Sequence, residues 1–129
     1  MTCANVSGFG KVTSAKWMFY NCSKLTTDFV LDDVSSLENG MGMFEGSGIT
    51  TNMFNLMSFP KLVNARQMFY KCAGMSGHLD LNMPKNFPNV SPNSYSGGSA
   101  PIARMFGECP ITSINFDVSN LDNGVSMFY

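Results

Sequence analysis

The pair Met-Phe recurs at positions 18-19, 43-44, 53-54, 68-69, 105-106 and 127-128. With the pair at 53 set aside, the first three copies stand 25 residues apart and the last two steps are 37 and 22 residues. A fixed period of this length constrains the fold more than any other feature, because such a unit buries its apolar side only against its neighbours. In register, Val12, Leu37 and Leu62 precede each Met by six residues, and Phe9, Val34 and Phe59 by nine. Further back, Val6, Leu31 and Leu56 align at twelve, and Ala4, Phe29 and Phe54 at fourteen. Five of the 11 Met and five of the 11 Phe in 129 residues are therefore one copied core pair, with flexible Met filling the gaps that Phe leaves.

Each unit reads as two pieces. The triplets Ala4-Asn5-Val6, Phe29-Val30-Leu31, Phe54-Asn55-Leu56, Leu79-Asp80-Leu81 and Ile114-Asn115-Phe116 have the period of two of a short strand buried on one face. Leu62, Ala65, Phe69 and Cys72 then fall at i, i+3, i+7 and i+10, and Val12, Ala15, Phe19 and Cys22 repeat that stripe, which predicts a helix. Ser35 with Glu38 suits a capping box, Ser58 with Pro60 a helix start, and Gly46, Gly74 and Gly107 helix ends. The column three before each Met reads Ala15, Gly40, Ala65, Ile102 and Gly124, mostly small residues that would let the helices approach the strands closely. The expected fold is thus α/β: a right-handed solenoid of about five strand-helix units with a short parallel β-ladder, strands lying about 4.8 Å apart.

The delayed fourth Met-Phe reflects an insertion at about residues 89 to 100, rich in Pro, Ser, Gly and Asn, which reads as a surface loop within a single domain spanning 1–129. Charged residues make up 13% of the chain and the net charge is −1, too little of either sign for a nucleic-acid or anionic-membrane partner. No apolar run approaches the ~20 residues that span a bilayer, and the first residues do not read as a secretory signal. The units open on a strand and close on a helix without a recognisable cap, so a segment of a longer array or an end-to-end dimer is expected.

Catalytic motifs are absent from the sequence: no Gly-x-Ser-x-Gly, His-Glu-x-x-His or phosphate loop occurs. His78, the single histidine, stands at a strand start and reads as a polar flank, so no enzyme, cofactor or metal is expected. Cys22, Cys72 and Cys109 share one column. They read as buried free thiols, with a Cys72–Cys109 disulfide between neighbouring units as the competing reading; a row of single thiols does not make a zinc tetrahedron.

The blocks Met-Phe-Tyr-Asn-Cys-Ser-Lys-Leu (18 to 25), Met-Phe-Tyr-Lys-Cys-Ala-Gly-Met (68 to 75) and Met-Phe-Gly-Glu-Cys-Pro-Ile (105 to 111) resemble the Met-Phe-x-x-Cys-x-x-Leu repeat of the BspA-like bacterial surface proteins. Ile111-x-x-Ile114-x-Phe116 is similar to the leucine-rich-repeat core, and Ser47 replaces Cys in the second copy. The resemblance implies a leucine-rich-repeat-like solenoid in a noncatalytic, extracellular or cell-surface protein. It implies adhesion to a protein or glycan of a host or a neighbouring cell. A structural spacer or a phage tail-fibre segment is the alternative.

In such a fold the middle residues of the triplets and those two positions further along point outward, so Asn55, Asp80 and Asn115 with Asn82 and Asp117 form the candidate ligand-binding face, with Tyr95 in the insertion beside it. Solvated polar filler is the competing reading of that row. Trp17, Tyr20, Tyr70 and Tyr129 stand in columns that otherwise hold Gly42, Gln67, Arg104, Ser126, Glu45 and Gly107. Such free variation predicts exposure, and exposed aromatics are either interaction hot spots or ordinary surface.

Overall fold

The computed structural model describes residues 5–25, 30–54, 58–81, 102–115 and 127–128. The Met-Phe pairs at 18, 43, 68 and 105 each sit in a run of successive tight turns. In the first repeat the N–H groups of Met18, Tyr20, Cys22 and Leu25 donate to the carbonyls of Ala15, Trp17, Phe19 and Cys22, three residues back. The amides between them, of Ala15, Trp17, Phe19 and Asn21, donate across to Asn39, Met41, Met43 and Glu45 of the next repeat at 2.8 to 3.0 Å. The second repeat does the same to the third through Gly40, Gly42, Phe44 and Gly46. Gln67, Phe69 and Lys71 continue the pattern onto Ala103, Met105 and Gly107, and Phe106 donates to Met127. Alternate backbone donors are thus satisfied within a repeat and between repeats, so stacking completes the hydrogen bonding that each repeat lacks alone.

The expected α/β fold is overturned. There is no solenoid of five strand-helix units and no leucine-rich-repeat helix, because the described residues hold no α-helix, only two 3₁₀ turns at Phe9–Lys11 and Thr51–Met53. Backbone handedness supplies the reason. Trp17, Asn21, Gln67, Lys71, Arg104 and Glu108 have φ between 53° and 58°, and Gly42 and Gly46 have φ of 58° and 67°. A left-handed residue on each side of these Met-Phe pairs breaks the right-handed run that a helix needs. Ser35 caps no helix; its N–H instead meets the Asp33 carboxylate at 2.8 Å.

Strand pairing is short. β1 (Asn5–Val6) pairs in parallel with β2 (Val30–Leu31), and β3 (Gly77–Leu79) with β4 (Ile111–Ile114), giving two separate two-stranded ladders among the described residues and no continuous sheet. Single bridges join Ser14 to Asn39 and Asn39 to Asn64.

Side chains complete the stack. The Phe19, Phe44, Phe69 and Phe106 rings lie face to face with centroids 5.4, 5.8 and 5.4 Å apart, and Phe128 follows at 5.7 Å. Phe54 meets Phe44 and Phe69 edge to face. Met43, Met68 and Met105 are fully buried beside this column, as are Leu37, Leu62 and Phe59 from the preceding columns. Asp32 ties one repeat to the one before, its carboxylate accepting the Gly8 and Phe9 amides at 2.7 and 3.1 Å. The Thr51 hydroxyl reaches 25 residues on, exchanging 2.7 Å bonds with the Ser76 carbonyl and amide.

Candidate functional site

Of the outward row expected to bind, the structure brings two members together. Asp80 and Asn115 follow the paired strands β3 and β4, and the Asn115 amide donates to the Asp80 carboxylate at 3.3 Å. Two residues earlier the pairing sets His78 opposite Ser113, with Nδ1 and the hydroxyl 2.7 Å apart. These are polar contacts between adjacent repeats, so their hydrogen-bonding capacity is partly spent on holding the ladder. Asn55, Asn82, Asp117, Tyr95, Tyr129 and the 89–100 insertion lie outside the described residues. Asp32, from the same outward columns, caps backbone amides and has a structural task.

Cys22, Cys72 and Cys109 are free thiols. The Cys72 thiol donates to the Phe44 carbonyl at 3.0 Å and the Cys109 thiol to the Phe69 carbonyl at 2.8 Å, each reaching the preceding repeat. Burial pushes the two thiols up to about 12 and about 11, so they are protonated donors at neutral pH and poor nucleophiles.

The aromatic columns form a more distinctive surface. Trp17 and Tyr20 are each 49% exposed. Together with Glu45 of the second repeat and Gln67 of the third they line an open groove of about 450 Å³. The register explains its shape. Gly42, in the Trp17 column of the second repeat, leaves room for the indole edge, and a Cβ there would run into Trp17 Cδ1 and Nε1. The indole therefore lies across the second repeat and opens toward the third. Glu45 and Gln67 are half-buried, and desolvation raises the Glu45 pKa, opposed by the nearby Lys71 charge. The Lys16 ammonium stands 4.3 Å from the Trp17 ring centroid. Tyr70, one repeat beyond Glu45 in its column, is held differently: its hydroxyl donates to Glu108 at 2.7 Å, and Lys71 and Arg104 approach its ring. That hydrogen bond is the chief cause of its raised pKa.

Sequence reasoning identified Trp17 and Tyr20 as exposed aromatics but assigned Glu45 and Gln67 no role. The signal was their place in the same variable columns, one and two repeats on, which becomes a groove only once the repeats stack. Among the described residues no group of three or more His, Cys, Asp or Glu side chains could hold a metal ion, and no helix is long and apolar enough to cross a membrane. Comparison with protein-family models, curated proteins and solved structures finds no match, so the functional reading rests on the site's own chemistry.

Proposed function

We propose that the chain is a noncatalytic binding module of a cell-surface adhesin, in which the buried columns build a scaffold and the variable columns present the contact face to a host or neighbouring-cell partner. The observation that carries this reading is the pair Trp17 and Tyr20, half-exposed over a groove that three successive repeats line. Trp17 holds φ of 55° at a column position where the next repeat has glycine, so the large aromatic sits there at a backbone cost of roughly 1 kcal/mol. Burial in the core does not repay that cost, whereas an exposed indole over a groove is well suited to recognition. The Met-Phe-x-x-Cys likeness to surface-protein repeats agrees with an extracellular setting.

The test is a glycan and protein array probed with the folded chain and with Trp17→Gly, a substitution that suits the left-handed backbone. Binding by the native chain and its loss in the variant support the reading. A chain that binds nothing on either array, or binds equally well without the indole, contradicts it and favours a spacer.

A further inference from the structure

Resting on that binding-module reading, we infer that the Trp17–Tyr20–Glu45–Gln67 groove is a carbohydrate site that takes a neutral pyranose ring. Three observations converge on this ligand class. Two half-exposed aromatic rings from the first repeat border the groove, and aromatic faces attract the polarised C–H groups on the apolar side of a sugar ring. The polar lining has unspent capacity: among the described residues neither the Glu45 carboxylate nor the Gln67 side-chain amide has a hydrogen-bond partner. A carboxylate accepts two hydroxyl protons and a primary amide both donates and accepts, which matches vicinal hydroxyls. The volume of about 450 Å³ lies within the roughly 300–1,000 Å³ usual for small-molecule sites and leaves room for a short oligosaccharide.

Charge decides between a sugar and a cation. An aromatic pair beside a carboxylate would also suit an ammonium ligand. Here the chain supplies its own cations: Lys16 stands 4.3 Å from the Trp17 ring centroid, and the Lys71 charge acts on Glu45. Lys16 thus already supplies the indole with a cation, and the Lys71 charge, which also pairs with Glu108 at 3.9 Å, partly offsets that of Glu45, so the groove offers aromatic faces and hydrogen-bonding groups more than an empty cation seat. A neutral polyol fits that offer.

Trp17 is the only tryptophan, so its fluorescence reports on the groove directly. The full chain is titrated with neutral oligosaccharides of glucose, galactose, mannose and N-acetylglucosamine, and with tetramethylammonium as the cationic probe. The expected result is a saturable emission change with at least one oligosaccharide. Its dissociation constant should rise about tenfold in Tyr20→Ala and in Glu45→Gln, while both variants keep the native melting temperature. Tetramethylammonium acting at lower concentration than every sugar would overturn the assignment. So would indifference to all the sugars by a chain that captures an array protein through Trp17; that outcome leaves the binding module standing and removes only its carbohydrate ligand. Failure of both screens would remove both.

Discussion

Phe69 packs face to face with Phe44 and Phe106 and meets Phe54 edge to face, so its ring joins three repeats. Phe69→Ala should lower unfolding free energy by about 3–5 kcal/mol in a urea titration, whereas Phe128→Ala, at a 52% exposed ring, should cost under about 1.5 kcal/mol. The thiols give a pH signature. A Cys72 pKa held near 12 in the folded chain exceeds the unfolded value of about 8.5, so its stabilising contribution is complete below that value and is lost as pH rises toward 12. Melting temperature should therefore fall more between pH 8 and pH 11 in the native chain than in Cys72→Ser, a replacement the protein already carries at Ser47 in the same column, where the serine is buried. At this scale the sequence was largely legible. Leu37, Leu62, Phe9 and Phe59 are buried where the register put them, because burial in a stack depends on period more than on local conformation. Met18 departs, 47% exposed where Met43, Met68 and Met105 are buried, since among the described residues no repeat covers the outer side of the first one.

The strand-helix unit is where the sequence reading failed. Residues 62, 65, 69 and 72 have helical spacing, yet a chain of tight turns also returns side chains inward every three or four residues, and apolar periodicity alone does not separate the two. The distinguishing signal was left-handed backbone. Gly42, Gly46 and Asn21 are residue types that adopt it readily, but Gln67, Lys71, Arg104 and Glu108 occupy the same columns and hide it. Close repeat contact leaves its own mark at Gly48, where an added Cβ would run into the Ser23 carbonyl oxygen. Gly48→Ala should cost about 1–3 kcal/mol of stability by denaturant titration, because backbone cannot step aside. Gly8 has φ of 80° with open space around its Cβ position, so Gly8→Asn should cost less than about 1 kcal/mol.

At the scale of the whole molecule, the low charge content directed attention to Asn, Asp and Tyr positions, and the candidate site was only half legible. Asp80 and Asn115 do meet, because parallel pairing of β3 and β4 aligns equivalent positions, but they meet each other. The groove draws on columns from three repeats, and its depth depends on Gly42 leaving the indole room, a relation that exists only after stacking. Fold and groove alike depend on repeats without helices completing one another's backbone hydrogen bonding around a phenylalanine column. Through-hydrogen-bond scalar couplings in the NMR spectrum of the labelled chain test this most directly. The expected couplings run from the amide nitrogens of Phe19, Phe44 and Phe69 to the carbonyl carbons of Met43, Met68 and Met105. Couplings from those amides to carbonyls four residues back, the mark of an α-helix, would contradict it.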